Sequence, residues 1–397
     1  MAAALAGGLA ANMLAFPTPT GETRTYATPG ALDLRNPFFA SRGAADRACV
    51  TCHAPSDGWS LVPANVQARF DATGGKDPLF HPGDASTSPR ADVSTVEARR
   101  GAYGLLLRKG LIRVGLPVPA GAEFELVGVD DPYGYASAAE LSLFRRPLPS
   151  TNLRFLTTIM WDGRAADLAR QADDAARRHA QAVGPLDPDV ATAIVALERS
   201  LFTAQAADRS AGDLDTDGAR GGPRALAAVE FAPGLRGPFM LFDAWERAEG
   251  RWGPARQSVA RGQALFNTRQ FYPFRFPCAG CHNVADAGSN TDGLFFDIGV
   301  GDGTRRTPDL PLYTLRCLPT GRVVTTTDPG RALVTGRCRD IGRFKVPTLR
   351  GLAARAPYFH NGAAATLEQV VDFYDERFFI GLTATEKADL VAFLRAL

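Results

Sequence analysis

The sequence is poor in the residues from which metal and cofactor sites are built. Its 397 residues include five histidines, six cysteines and four methionines. The 44 basic and 42 acidic side chains leave a net charge of +2, which excludes the strongly basic character expected of a nucleic-acid-binding protein. No apolar run approaches the roughly 20 residues that span a bilayer. Because so few side chains can ligate a metal or attach a cofactor, the position of each one is informative.

The composition is otherwise that of a folded globular protein. Hydrophobic residues make up 45% of the chain and charged residues 22%, which argues against disorder. The 40 glycines and 28 prolines predict many ordered loops between short helices. A chain of this length is sufficient for two domains.

Four of the six cysteines form two copies of the pattern C-x-x-C-H. The copies are Cys49, Cys52 and His53, and Cys278, Cys281 and His282. This spacing is the attachment signature of c-type haem, because two thiols three positions apart can add to both vinyl groups of one porphyrin and the histidine then ligates the iron. At this composition chance predicts about 0.001 copies. The alternatives are a redox pair or a shared zinc site, which would require two distant motifs to converge. We therefore predict two covalently bound haem c groups.

The remaining cysteines, Cys317 and Cys338, bracket a stretch that reads as a β-hairpin or an ordered loop around Pro329 and Gly330. Covalent haem c is assembled outside the cytoplasm, where disulfides persist, so a bridge between the two is predicted. The alternative is two buried free thiols.

The two motifs divide the chain into halves. Residues 2–16 have the apolarity of a signal-peptide core but no basic residue before them, so 1–27 are predicted to be a leader or disordered. We assign 28–205 to an N-terminal haem domain with an insertion at about 60–140, and 226–397 to a C-terminal haem domain. Residues 206–225 lack apolar periodicity and are interpreted as a linker.

The predicted fold class is mainly α, with two cytochrome c-like haem domains, long loops and a small β-containing insertion. The helical signals are hydrophobic periodicity and capping patterns. They predict a helix over residues 258–266, a helix that begins after Thr383, a helix that begins at Asp187-Pro188, and a helix from Ser94 to Leu107. Strand-like runs occupy residues 111–118 and 123–129.

Two further segments carry a family resemblance. Residues 152–165 read NLRFLTTIMWDGRA, and residues 344–374 read FKVPTLRGLAARAPYFHNGAAATLEQVVDFY. Together with the two haem motifs, in this order, they resemble the bacterial diheme cytochrome c peroxidases, a superfamily that includes the MauG-type enzymes. The resemblance implies an oxidoreductase that reacts with hydrogen peroxide at the N-terminal haem. The insertion lies outside the resemblance.

The resemblance assigns roles to individual residues. Trp161 matches the tryptophan that lies between the haems and carries electrons, although alone it would be read as a core anchor at a turn. Gln171 matches a glutamine of the peroxide-binding pocket, although alone it would be a surface helix residue. His360 matches a histidine that we take to be structural, because the ligand position comes fourteen residues later.

That ligand position is Tyr374. In ordinary peroxidases of this superfamily the residue is methionine, whereas in MauG-type enzymes it is tyrosine. Methionine ligation raises the potential of a haem, so a tyrosine ligand is expected to lower the potential of the C-terminal haem. The alternative is that Tyr374 only packs as an aromatic side chain on its helix.

The chain departs from the superfamily at the acid–base position. The expected glutamate is replaced by Gln181, and His179 is the nearest titratable side chain. A histidine can move the proton that peroxide cleavage requires. The alternative is that Arg177, Arg178 and His179 form a solvated basic face.

Two more departures concern metal coordination. The region at about 135–141, which often supplies a histidine that blocks the peroxide-binding iron, contains none, and His81 reads as a loop residue far upstream. The N-terminal haem is therefore expected to have an open face. Arg146 occupies the position of an asparagine that binds calcium between the haems, so calcium is not expected there.

These features predict an exported, periplasmic enzyme that uses hydrogen peroxide. Its partner would be a small redox protein or a protein substrate. We expect the protein neither to bind nucleic acid nor to insert stably into a membrane. The competing interpretation is a diheme electron-transfer cytochrome without enzymatic activity.

Overall fold

The structure is a computed structural model that describes residues 8–271 and 275–397. Helices account for 33% of the residues and strands for 19%. The helices are α1 (Pro63–Thr73), α2 (Val96–Ala102), α3 (Gly104–Lys109), α4 (Leu168–His179), α5 (Pro188–Ser200), α6 (Gly222–Ala227), α7 (Gly253–Thr268), α8 (Cys278–Cys281), α9 (Ala332–Thr335), α10 (Leu367–Phe378) and α11 (Ala384–Arg395). The strands are β1 (Leu9–Ala11), β2 (Ala15–Thr18), β3 (Gly21–Ala27), β4 (Ala31–Asp33), β5 (Ile112–Leu116), β6 (Phe124–Asp130), β7 (Leu141–Arg145), β8 (Leu201–Asp208), β9 (Gly212–Asp213), β10 (Phe295–Phe296), β11 (Leu312–Cys317), β12 (Val323–Thr326) and β13 (Phe344–Lys345).

The strands form small antiparallel sheets that connect distant parts of the chain. One sheet has the order β2-β3-β8-β9, another β12-β11-β6, and the pairs β1-β4, β5-β7 and β10-β13 complete the set. Strand β6, from the inserted segment, pairs with β11 of the C-terminal half. Because the two halves share this sheet and strands are numerous, the prediction of a mainly α fold with two separate haem domains is not confirmed.

Most of the local predictions agree with the structure. Helix α5 begins after Asp187, whose side chain accepts the backbone N–H groups of residues 189 and 190. Helix α11 begins after Thr383, where the predicted capping box is present. The prediction for residues 94–107 was wrong in detail, because Thr95 caps the helix and the segment divides into α2 and α3.

Two segments are more ordered than predicted. Strand β3 lies within the expected leader, but it pairs with β8 over its whole length. Residues 1–7, where the rest of that prediction falls, lie outside the described residues. The expected linker contains the end of β8, all of β9 and the start of α6, and Leu214 within it is fully buried. A segment without apolar periodicity is anchored here by single buried side chains.

A helix pair lies beside the second motif, as expected for a cytochrome c-like unit. Helices α7 and α11 pack closely at Gly262, where a Cβ atom would lie 1.9 Å from the carbonyl oxygen of Asp389. Only glycine permits this approach of the two backbones. The buried cluster around the crossing includes Phe266, Phe393 and Leu394. This packing fixes one wall of the cavity beside the second C-x-x-C-H motif.

The predicted disulfide between Cys317 and Cys338 is present. It joins the end of β11 to the turn after α9, and the Cys338 N–H donates to the carboxylate of Glu123 in the inserted segment. The bridge therefore closes the loop of residues 317–338, which packs against the inserted segment.

We expect the double substitution Cys317→Ser/Cys338→Ser to lower the free energy of unfolding by about 3 kcal/mol, because the unfolded chain loses a covalent loop constraint. Urea unfolding of the purified protein measures this change. Each single substitution breaks the same bridge and should have nearly the full effect. Unchanged unfolding midpoints would show that the bridge does not stabilise the fold.

Candidate functional site

Each C-x-x-C-H motif opens into its own cavity. The N-terminal cavity, of about 190 Å³, is lined by Cys49, Cys52 and His53, and the C-terminal cavity, of about 210 Å³, is lined by Cys278, Cys281 and His282. The lining of both is mainly apolar, as the site of a porphyrin requires. The motifs do not converge, which removes the shared zinc site from consideration.

The two motif histidines are held in the same way. Nδ1 of His53 lies 3.0 Å from the carbonyl oxygen of Trp59, and Nδ1 of His282 lies 2.6 Å from that of Gly288. An Nδ1–H donor to a carbonyl fixes the tautomer and leaves Nε2 free to ligate a metal. Burial lowers the pKa of both rings, that of His282 to about 4, so both are neutral.

The motif thiols are free in the structure. Burial raises the pKa of Cys49 and Cys278 to about 12, so neither thiol resembles an exposed, activated redox cysteine. Among the residues that the structure describes, no group of three His, Cys, Asp or Glu side chains is arranged to hold a metal ion. The residues around both motifs therefore fit haem c better than a redox pair or a bare metal site.

The segments that build the far walls of the two cavities repeat one another. Residues 152–179 and 351–378 each contain a short 3-10 turn, a loop closed by a β-bridge, and a 12-residue helix, at the same spacing. Both loops place a non-glycine residue and, three positions later, a glycine at positive φ. These are Met160 and Gly163, and Phe359 and Gly362. In this repeat Trp161 corresponds to His360.

The repeat reveals a difference between the two cavities. Tyr374 is the eighth residue of α10 and lines the C-terminal cavity, whereas Ala175 is the eighth residue of α4 and lines the N-terminal cavity. Tyr374 is half-buried among aromatic side chains, and its partial removal from solvent raises its pKa above the ordinary value. The N-terminal half thus has a methyl group where the C-terminal half has a phenol. Ala175 was not predicted, although aligning WDGRA (161–165) with HNGAA (360–364) pairs it with Tyr374.

Trp161 lines both cavities, as expected of a residue between two haems. Its Nε1 donates to the carbonyl oxygen of Arg146 at 2.8 Å, and its own carbonyl accepts from the Lys345 N–H at 2.9 Å. The ring of His360 meets it edge-on at 6.2 Å and stacks on Phe344. His360 is buried, and its Nε2 has no hydrogen-bond partner among the described residues.

A buried ion-pair network holds the loop that carries Trp161. Arg145 donates to Asp162 at 2.5 Å and to both carboxylate oxygens of Asp328, at 2.6 and 2.8 Å. All three side chains are almost fully buried. Since Asp162 follows Trp161 directly and Asp328 belongs to the C-terminal half, the network clamps the two halves together beside the indole.

The polar end of the N-terminal cavity contains both residues predicted for it, Gln171 and His179. Arg177 and Arg178 are exposed, whereas His179 is half-buried and lines the cavity. His179 is therefore not part of the solvated basic face that the two arginines form. Nδ1 of His179 lies 2.6 Å from a carboxylate oxygen of Asp84. Gln181 follows the helix, is exposed and is not part of the cavity wall. Asp84 was not predicted, because it lies in the insertion that the family resemblance does not cover.

Two more ionisable side chains line the cavities without having been predicted. Lys345 lines both cavities, and burial lowers its pKa to about 8. Glu198 lines the N-terminal cavity, and burial raises its pKa to about 8. The amine of Lys345 is a buried cation suited to an anionic group, such as a porphyrin carboxylate, in either cavity.

The guanidinium group of Arg146 fills the position at which the superfamily has a calcium-binding asparagine. Nη1 donates to the carbonyl oxygen of Lys109 at 3.1 Å, and Nη2 donates to that of Arg355 at 2.9 Å and more distantly to that of Ala356. Burial, with Arg355 nearby, lowers the pKa of Arg146 to about 9. A calcium ion needs six to eight oxygen ligands, and here a fixed cation already uses the carbonyls. These residues do not fit calcium.

Sequence comparison places relatives of this chain among peroxidases. Cytochrome-c peroxidase IdrP1 of Pseudomonas sp. (strain SCT) is 35% identical over 161 residues, which are 35% of this chain and 40% of that protein. Methylamine utilization protein MauG of Methylorubrum extorquens is 29% identical over 266 residues, or 64% of each chain. The crystal structure of a MauG-like protein associated with microbial copper homeostasis covers 92% of this chain and 88% of its own, at 16% identity and a TM-score of 0.44.

The chain matches less than half the length of the first of these curated relatives. No protein-family model matches it. The resemblance noted in the sequence is confirmed by the sequence similarity to named cytochrome-c peroxidases and to MauG.

We expect the purified protein to contain no stoichiometric calcium, and its thermal midpoint to be the same with and without EGTA, because Arg146 supplies the positive charge at this position. Elemental analysis and thermal unfolding measure these properties. Arg146→Asn should lower the free energy of unfolding by about 1–3 kcal/mol, because buried carbonyls lose their donor.

Arg154 is a matched control for this prediction, since its guanidinium also donates to two carbonyl oxygens, those of Ala227 and Val229, away from Trp161. Arg154→Asn should leave the indole fluorescence of Trp161 unchanged, whereas Arg146→Asn should alter it. One calcium per chain, or a midpoint that falls in EGTA, would contradict the assignment.

Proposed function

We propose that this chain, a sequence relative of the bacterial diheme cytochrome c peroxidases and MauG proteins, is a two-haem c-type oxidoreductase. It would react with hydrogen peroxide in the N-terminal cavity and pass oxidising equivalents through Trp161 to a second site held by His282 and Tyr374. Named peroxidases among its relatives support this class of activity.

The observation that carries the proposal is the pairing of Tyr374 with Ala175. The same helix position faces both cavities, and it offers a ligand oxygen in one and a methyl group in the other. A metal held by His53 would therefore lack the ligand that its counterpart has. An enzyme that binds peroxide needs such an open face on one haem, whereas a simple electron carrier does not.

When bound, haem c supplies a coordination site and the electrons for cleavage of the O–O bond of peroxide. His179 and Gln171 lie on one helix and face the same cavity, so they can hold peroxide and move its proton. Trp161 is the aromatic side chain shared by both cavities, which supports its role as the electron relay. The apolar walls of the cavities exclude bulk water from both sites.

Tyr374 favours a MauG-like variant of this activity. A phenolate is a hard anionic donor that stabilises oxidised iron, unlike the methionine of ordinary peroxidases. The partner would then be a protein substrate or a small redox protein. Among the described residues, no helix has both the length and the apolarity to cross a bilayer. Because haem c is assembled outside the cytoplasm, we assign the protein to the periplasm.

A second candidate function is electron transfer without peroxide chemistry. It is favoured by one observation: the side chains of Met160 and His179 both line the N-terminal cavity, and either type can ligate haem iron. If one of them bound the iron opposite His53 in both redox states, peroxide would have no site. The spin state of the ferric N-terminal haem distinguishes the two functions.

We expect stoichiometric hydrogen peroxide to change the visible and near-infrared spectra of the ferric protein.

Ala175→Tyr should slow this reaction by at least about tenfold, because a phenol at the position that corresponds to Tyr374 blocks access to the iron. Stopped-flow absorbance measures the rate. Arg178→Tyr, on the exposed side of the same helix, is the control and should react normally. A wild-type protein that does not respond to peroxide would refute the proposed function.

We expect Tyr374→Phe to change the absorption and electron paramagnetic resonance spectra of the C-terminal haem and to raise its potential, because an anionic oxygen ligand is lost. Tyr358 lines the same cavity, but its hydroxyl donates to the carbonyl of Leu352, so Tyr358→Phe is a matched control. Identical spectra for the two variants would show that Tyr374 is not a ligand.

A further inference from the structure

We propose that Asp84, in the inserted segment, is a positioning residue for peroxide cleavage. Its carboxylate would accept a hydrogen bond from Nδ1–H of His179, so that Nε2 is left to carry the proton in the N-terminal cavity. The inference rests on the proposed function and gives the insertion a part in it.

The contact between Asp84 and His179 is short and sheltered. Nδ1 of the ring lies 2.6 Å from Oδ2 of the carboxylate, and the Asp84 side chain is only 9% exposed. Both residues line the N-terminal cavity, together with Gln171. Burial by itself would raise the pKa of Asp84, but its hydrogen bond to His179 and the charge of Arg47 outweigh this effect and lower the pKa. The carboxylate is therefore ionised and accepts the Nδ1–H.

Arg47 fixes the carboxylate in place. Its Nη1 donates to both oxygens of Asp84, at 2.8 and 2.7 Å, and also to the carbonyl oxygen of His179 at 3.0 Å. Its other nitrogens donate to the carbonyls of Pro78 and Leu79 in the insertion. The ion pair between Arg47 and Asp84 thus fixes both the ring and the backbone of His179. Arg47 itself lies two positions before Cys49 in the chain.

The rest of the insertion supports this geometry. The carbonyl of Asp84 accepts the N–H of Arg113, a residue of strand β5, at 2.7 Å. A buried cluster that includes Leu61, Phe70 and Ile112 packs against Cys52. The insertion therefore lies against the haem motif rather than projecting from the domain, and it presents Asp84 at the cavity.

The chemistry requires one defined tautomer of His179. With Nδ1–H donating to Asp84, the lone pair of Nε2 is available to the cavity. The proton leaves the inner oxygen of hydrogen peroxide for Nε2 and is then given to the outer oxygen, which departs as water when the O–O bond breaks. Bound haem c would supply the two electrons that reduce the remaining inner oxygen, which takes up two protons from solvent and leaves as a second water. A carboxylate behind the ring stabilises the protonated imidazole during this transfer, as in other His–Asp pairs.

The test compares two substitutions in a double-mutant cycle. Asp84→Asn is nearly isosteric and keeps a partner for Arg47, so the fold is preserved. We expect it to lower the rate of the peroxide reaction by at least about tenfold. His179→Ala should lower the rate by about 100-fold or more. On the His179→Ala background, Asp84→Asn should have no further effect, because Asp84 acts only through the ring.

Carbon monoxide binding to the ferrous protein supplies a second readout, since it requires an open iron but no proton transfer. We expect its rate to be unchanged in Asp84→Asn, while the infrared C–O stretch shifts towards that of His179→Ala. The control is Asp77→Asn, in the same insertion, where the carboxylate pairs with Arg69 outside the cavity. This variant should match the wild type in both measurements.

Additive losses in the cycle, or an unchanged peroxide rate in Asp84→Asn, would overturn the proposal. Slower carbon monoxide binding in that variant would also overturn it, because it would show a general distortion of the site. Failure of the proposed function would be distinct: the wild-type protein itself would not react with peroxide, whatever residue stood at position 84.

Discussion

The burial of Arg145 between two carboxylates determines how the two halves of this protein face each other. An isolated buried guanidinium is costly, but here Asp162 and Asp328 accept from three of its N–H groups. One carboxylate precedes the loop glycine of the WDGRA segment and the other belongs to the C-terminal half. Arg331 adds hydrogen bonds to two carbonyls of the same segment. Trp161 can line both cavities only because this network brings its loop against the other half.

On this shared frame, the two cavities differ at a few positions of one repeated unit. The turn, loop and helix of residues 152–179 recur in residues 351–378, with the same positive-φ positions. Trp161 is matched by His360, and the two rings contact each other. Ala175 is matched by Tyr374. The backbone thus supplies two equivalent cavities, and side-chain identity places a methyl group in one of them and a phenol in the other. A functional difference of this kind needs no difference in fold.

The parts of the structure that local sequence determines were predictable, and the parts that depend on distant contacts were not. Spacing alone identified the two haem motifs, and capping residues located the starts of α5 and α11. By contrast, Asp84 and His179 are 95 positions apart, and no local pattern connects them. The pairing of β6 with β11 is equally remote in sequence. The supposed linker misled for another reason: a single buried side chain, Leu214, produces no periodicity.

Two of the three departures from the superfamily pattern involve a side chain that is held by a tertiary partner. Arg146 places a fixed cation where the superfamily has a calcium-binding asparagine, and it can do so because the carbonyls of Lys109 and Arg355 accept its N–H groups. Gln181 stands where a glutamate is expected, and the nearby His179 contacts a carboxylate from the insertion. The carboxylate of Asp84 defines the tautomer of this histidine, so the insertion, which lies outside the superfamily resemblance, contributes directly to the wall of the N-terminal cavity.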